Sequence, residues 1–330
     1  MSVAAERNNT ALTVEADNEF DLVVRHRERA AHGVIALTFD SAAGDRLPAW
    51  EPGAHIDLVL GNGLTRQYSL CGDPADRDSW RIGVLLEPAG RGGSAWIHEH
   101  LKVGTTVTSR TPRNHFPLQL SSHYIFVAGG IGVTPLIPMV AAAEASGASW
   151  SLTYGGRNLE TMAFVDELSQ YDTKVRTWPQ DESGILDLDE ILRDPAADTL
   201  VYCCGPSPLL DAIVQKCDGW RPDALHIERF AASTVPVPEN SGTSIQVELR
   251  RSGVTVHVPA DRSILDVVNE AGAGVVSSCE DGICGTCETG VIDGIPDHRD
   301  DVLSHTERAS GTKMMLCVSR AKSGHLVLDI

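Results

Sequence analysis

Four cysteines constrain this chain more than any other feature. Cys279-Glu-Asp-Gly-Ile-Cys284-Gly-Thr-Cys287 sets three thiols in a short stretch with two glycines between them, and Cys317 stands well downstream. A loop this rich in thiols and glycine has few apolar side chains with which to build a core. Its structure must therefore come from what the sulfurs hold.

The C-x4-C-x2-C spacing with a distant fourth cysteine is the plant-type arrangement for a 2Fe–2S centre, and soft thiolates suit iron. Gly282 and Gly285 let the loop fold tightly, so that backbone N–H groups can face the sulfides and offset negative charge. A structural zinc site more often uses two C-x2-C knuckles. Cys279, Cys284, Cys287 and Cys317 are the metal-ligating candidates.

The preceding residues frame that loop. Ile245 to Leu249 and Val254 to Val258 read as a hairpin around Arg-Arg-Ser-Gly, Ile264 to Ala271 reads as a helix, and Leu326 to Ile330 reads as a closing strand. This segment resembles the β-grasp fold of plant-type ferredoxins, which implies a one-electron carrier.

With 330 residues, the chain is too long for one ordinary core, and its rhythm changes twice. From Phe20 to Pro117 short alternating stretches such as His55-Ile-Asp-Leu-Val-Leu60 predict an antiparallel sheet or barrel. From Tyr124 onward strands at 124–128, 150–154, 175–178, 199–203 and 225–227 interleave with helical stretches, a βα succession that predicts a parallel sheet covered by helices. The Pro- and Ser-rich stretch at 232–243 reads as a linker. The expected division is an antiparallel β-barrel over 18–120, an α/β nucleotide domain over 121–231, and an α+β β-grasp domain over 244–330.

Composition narrows the function. A formal charge of -18 argues against a nucleic-acid surface, which needs clustered Lys and Arg. The N-terminus lacks an apolar h-region and no run of about 18 apolar residues occurs, so neither a signal peptide nor a membrane span is expected. Eight cysteines without a secretion signal read as metal ligation plus buried thiols in a reducing cytoplasm.

Four further motifs mark ligand-binding edges. Gly129-Gly-Ile-Gly-Val-Thr-Pro135 lies between a strand and a helix, where Gly130 and Gly132 admit a phosphate to the free N–H groups of a helix N-terminus. Cys204, Gly205 and Pro206 end a later strand at the same sheet edge, where open α/β sheets bind ligands. In the first module, Arg66-Gln67-Tyr68-Ser69 offers a cation for a phosphate and an aromatic face for a ring. Arg91, Gly92, Gly93 and Ser94 open a helix and offer a second side for the same phosphate.

Together these motifs resemble the ferredoxin reductase superfamily, and their order resembles the phthalate dioxygenase reductase family, which includes the reductase components of vanillate O-demethylase. The resemblance implies a flavin on Arg66 to Ser69 and Arg91 to Ser94, with Asn114 of Pro112-Arg-Asn-His-Phe-Pro117 nearby and Phe230 covering the ring. It implies that Thr134 and Cys204 to Pro206 lie near a nicotinamide and that the glycine loop lies near the pyrophosphate. FMN is expected within that family, with FAD as the alternative. Arg157, after the second strand of the nucleotide domain, fits a 2′-phosphate or merely lines an NADH pocket, and the family favours NADH over NADPH.

A nicotinamide gives two electrons at once and a 2Fe–2S cluster accepts one, so a flavin is needed between them. The expected enzyme is an NADH-dependent flavin iron–sulfur oxidoreductase without catalytic acid, base or nucleophile, in which His55, His98, His115 and His123 are surface or structural. Its expected partner is a terminal oxygenase of the Rieske type, and the chain is expected to be a monomer. A reductase for a haem monooxygenase and a non-enzymatic iron–sulfur sensor are the rival readings.

Overall fold

The computed structural model describes residues 19–193, 195–221, 223–231 and 244–330. The expected linker at 232–243 and the polar N-terminus lie outside the described residues. Three sheets organise the rest.

The first sheet is built from β1 (Glu19–Ala31), β2 (Val34–Ser41), β3 (His55–Val59), β4 (Thr65–Ser69), β5 (Ser79–Leu85) and β6 (Thr106–Arg110), in the order β4-β3-β6-β1-β2-β5. All of its pairings are antiparallel. A bridge between Leu70 and Ile82 joins the two edges and closes the barrel, which removes the exposed edge of an open sheet. Helix α1 (Gly93–His100) follows β5.

Strand β2 explains how this barrel meets its neighbour. Ile35, Leu37 and Phe39 point into the barrel core, whereas Val34 and Ala36 point the other way and join the core containing Tyr124, Phe126 and Tyr202. With period-two side chains, a strand buried on both faces must be apolar throughout. Val34 to Leu37 meets that demand.

The second sheet is parallel, with β7 (His123–Gly129), β8 (Ser149–Gly156), β9 (Val175–Pro179), β10 (Leu200–Cys204) and β11 (Leu225–Glu228) in the order β11-β10-β7-β8-β9. Helix α2 (Leu136–Ser146) and the helix Ser207–Lys216 are among those that connect them. The chain starts at β7 and builds outward in both directions, so the switch point where α/β sheets bind ligands falls between β7 and β10. The helix that the sequence pattern predicts over 163–170 is shorter in the structure. Val165–Leu168 runs into a 3-10 segment in which Asp172 takes φ 48°, ending the helical path.

The third sheet is β13-β12-β16-β14-β15, from β12 (Ile245–Leu249), β13 (Val254–Val258), β14 (Glu288–Asp297), β15 (Lys313–Met315) and β16 (Arg320–Leu328). Strands β12 and β16 pair in parallel at its centre. The helix Ile264–Glu270 covers it with Ile264, Leu265, Val267 and Val268.

Candidate functional site

The four cysteines come together in the third domain. Cys279, Cys284 and Cys287 are buried and Cys317 is partly open. They form two hydrogen-bonded pairs, Cys279 with Cys284 and Cys287 with Cys317. Within the first pair Cys279 holds the Cys284 thiol below its usual pKa, and Cys317 lowers Cys287 in the same way. Among the described residues no three His, Cys, Asp or Glu side chains converge as a single-ion site requires. Two pairs of thiols suit two irons.

The backbone supplies further donors. Asp281 N–H lies 3.3 Å from Cys279 Sγ and Thr286 N–H lies 3.4 Å from Cys284 Sγ. Gly282 and Gly285 both take φ +72°, and a Cβ on Gly285 would stand 2.3 Å from His115 Nε2. Positive φ and close approach coincide there, so glycine is required.

In the barrel, β4 holds Arg66 to Ser69 against β3. Arg66 Nη1 donates to Thr65 O at 2.8 Å, while Nη2 is buried with no hydrogen-bond partner. Desolvation, then the charge of Arg91, holds the guanidinium below its usual pKa. Gly93 opens α1 directly over this side chain, where a Cβ would stand 2.6 Å from Arg66 Cγ. The N-terminus of α1 has no side-chain cap, so its free N–H groups share the cradle with the unpartnered guanidinium nitrogen. An anion fits both needs. Tyr68 is partly buried against the barrel core.

At the C-terminal edge of the parallel sheet, a Cβ on Gly132 would stand 2.3 Å from Cys204 O. The glycine loop and the Cys204 strand end are therefore in backbone contact. Gly130 takes φ +55°, and no side chain caps α2. This bare, glycine-lined helix entrance fits a phosphate. Thr134 is buried with its hydroxyl spent on Ile131 O at 2.9 Å. Arg157 stands exposed just beyond β8, and Phe230 is exposed just beyond β11.

Sequence reasoning missed Glu228 as a site residue. It ends β11 beside Cys204, with Cys204 Sγ 3.9 Å from Glu228 Oε2. Desolvation pushes its carboxyl up to about 8, against the opposing pull of Ser69 and Cys204. One carboxyl thus contacts the first residue of the Cys-Gly-Pro turn and lies close to the last residue of the flavin motif. On the other side, Gln67 Nε2 donates to Cys284 O at 3.4 Å.

The structure gives the other named residues these partners. Arg91, expected on the phosphate, sends Nη2 to Asp281 at 2.5 Å and to Cys279 O at 3.1 Å. The oppositely charged cluster loop holds it. Asn114 faces no cradle, because its amide donates to Pro52 O and its oxygen accepts from Phe116 N–H, the local bonding usual for Asn in turns. His55 is buried, whereas His115 is exposed. The two rings stack at 5.7 Å, with His115 against Gly285 of the cluster loop, and burial lowers His55 to about 3. His98 and His123 are structural and peripheral, respectively bonded to Val84 O and paired with exposed Asp198.

A barrel with an anion cradle, a parallel sheet with a glycine-lined entrance and a thiol-lined β-grasp module define an electron-transfer oxidoreductase with the ferredoxin-reductase-like fold. Residues 247–322 match the family model described as a 2Fe-2S iron-sulfur cluster binding domain. The "phenoxybenzoate dioxygenase subunit beta" of Ectopseudomonas oleovorans is 44% identical over 302 residues, covering 91% of this chain and 94% of the relative.

Among solved structures, phthalate dioxygenase reductase, described as modular for electron transfer from pyridine nucleotides to 2Fe–2S, is 36% identical. It superposes with a TM-score of 0.69 over 94% of this chain and 98% of its own. An intact type IV self-sufficient cytochrome P450 monooxygenase matches with a TM-score of 0.90 and 42% identity over 94% of this chain, which spans 41% of that protein. The chain belongs to the phthalate dioxygenase reductase family.

Proposed function

We propose that the chain is the reductase component of a multicomponent oxygenase or demethylase, passing electrons from NADH through FMN and a 2Fe–2S cluster to a terminal oxygenase of the Rieske type. One observation carries this reading: the flavin strand reaches the cluster loop directly, with Gln67 Nε2 donating to Cys284 O, while Glu228 at the Cys204 strand end lies beside Ser69 on its other side. The entry and exit motifs meet at the flavin motif.

When bound, nicotinamide supplies a hydride, the flavin converts that pair into single electrons and the cluster carries them singly. The residues do the placing. Arg66 and the bare end of α1 hold phosphate, Tyr68 offers a ring face, and Gly132 lets the nucleotide approach Cys204 to Pro206. Gly130, Gly205 and Arg157 border the same nucleotide path. Ser94 stays with its own turn, accepting from Glu87 N–H at 3.0 Å. Cys279, Cys284, Cys287 and Cys317 hold iron, and Gln67 fixes the cluster loop against the flavin strand.

The domain division at 18–120, 121–231 and 244–330 belongs to this reading. So does a reducing cytoplasm, supported by eight cysteines without a disulfide between them. No helix among the described residues is long and apolar enough to cross a membrane. The P450 superposition supports a second reading, in which the acceptor is a haem monooxygenase.

Anaerobic addition of NADH should bleach the flavin band and then the cluster's visible absorption. If neither band responds to NADH or NADPH, the reductase reading fails. Chromatography of heat-released flavin separates FMN from FAD, and reduction assays with purified Rieske and haem acceptors separate the two partners.

A further inference from the structure

Asp57 lies on β3 inside the barrel domain, fully buried. It accepts from Arg113 Nη2 at 2.7 Å and stands 3.7 Å from Arg110 Nη1. Both arginines also reach into the cluster domain. Arg110 Nη1 donates to Ser277 O at 3.4 Å, and Arg113 Nη2 donates to Thr286 Oγ1 at 2.9 Å. Ser278 Oγ approaches Asp57 from the same loop at 3.5 Å. Asp57, and Glu19 at 3.1 Å from Arg110, balance the two guanidiniums, and of the two it is Arg113 that reaches a cluster-loop side chain.

Thr286 completes the connection. Its Oγ1 lies 3.2 Å from Cys284 Sγ. A hydroxyl whose lone pair is taken by a guanidinium N–H turns its own proton toward a neighbouring thiolate. Each bond in such a chain polarises the next. Arg113 cannot easily drift, because its backbone is bridged to His55 on the same strand as Asp57, with N–H···O distances of 2.9 and 3.0 Å.

We propose that Arg113, anchored by Asp57, is a positioning residue that raises the reduction potential of the cluster from the flavin domain by directing the Thr286 hydroxyl onto Cys284. The inference rests on reading the four cysteines as cluster ligands. Hydrogen bonds to the sulfurs and nearby positive charge favour the reduced, more negative cluster. Loss of either should make the cluster harder to reduce.

The test is an anaerobic redox titration of the intact holoprotein, with the reduced cluster followed by EPR and the flavin by absorbance. Arg113→Met removes the donor and the charge, and Thr286→Val removes only the hydroxyl. Both should lower the cluster potential without moving the flavin. For Arg113→Met the expected change is tenfold in the reduced-to-oxidised ratio at a fixed potential, about 59 mV for one electron. The double variant should fall no further than the larger single one.

An unmoved potential in Thr286→Val with its EPR signal intact overturns the proposal, as do fully additive shifts. If Arg113→Met does not load iron, Thr286→Val decides alone. If the reconstituted wild-type protein gives no reduced-cluster signal, the cluster reading itself fails, and the inference with it.

Discussion

Replacing Arg66 with methionine should act with opposite signs on the empty and the flavin-bound protein. The methionine keeps a stem to pack under Gly93 and discards the guanidinium. That guanidinium satisfies Thr65 O with one nitrogen and leaves Nη2 buried without a protein partner beside the charge of Arg91. Removing an underpaired, desolvated charge is neutral or stabilising, so the melting temperature without flavin should hold or rise. With flavin bound, a charge-assisted hydrogen bond worth about 1.5–3 kcal/mol is lost. That weakens flavin binding by about ten- to 150-fold.

Fluorescence titration of the apoprotein with FMN reads the affinity, and melts with and without saturating flavin read the two signs. Weaker binding also shrinks the stabilisation by ligand at fixed concentration. An unchanged affinity, or a lower melting temperature without flavin, would refute the assignment of Arg66 to the phosphate.

Other substitutions test the remaining contacts. Gly132→Ala places a Cβ 2.3 Å from Cys204 O. It should cost about 1–3 kcal/mol in thermal stability as an overpacked contact and raise KM for NADH, both read on one preparation. Cys284→Ser should abolish the cluster's visible absorption and transfer to the protein acceptor while ferricyanide reduction continues; equal loss of both activities would count against separate flavin and cluster steps. Glu228 is raised from 4.5 to about 8, so the folded state keeps its proton longer than the unfolded chain. Its contribution to stability is full below about 4.5 and is lost as pH rises through about 8. Melts across that window should fall more steeply for the wild type than for Glu228→Gln, and parallel curves would exclude a raised carboxyl.

What could be read from the sequence was whatever local spacing encodes. The cysteine loop, the glycine entrance and the hairpin Ile245 to Val258 are short-range patterns whose geometry follows from neighbouring residues. Asp57 was not legible. In His55-Ile-Asp-Leu-Val-Leu60 it alternates with Ile56 and Leu58, as a solvent-facing residue would, yet another domain covers that face. Arg91 and Asn114 sat in recognisable motifs, but their partners were fixed by a cluster loop far away in sequence and by the carbonyl of Pro52. Strand β14 escaped because Gly290, Gly294 and Pro296 break the alternation, and its register shifts show the same irregularity.

The parallel pairing of β12 with β16 has a consequence for biosynthesis. Leu249 is held beside Leu328 at the centre of the third sheet, so the hairpin that opens this domain lacks its central neighbour until synthesis has passed Leu328. At roughly 5–20 residues per second, Cys279, Cys284 and Cys287 leave the ribosome seconds before the scaffold that shields them can close. Three thiols therefore emerge ahead of their fourth ligand and their shelter, in reach of oxidants and stray metals. The complete ligand set forms only once Cys317 has been made, and the barrel and nucleotide domains precede it in the chain.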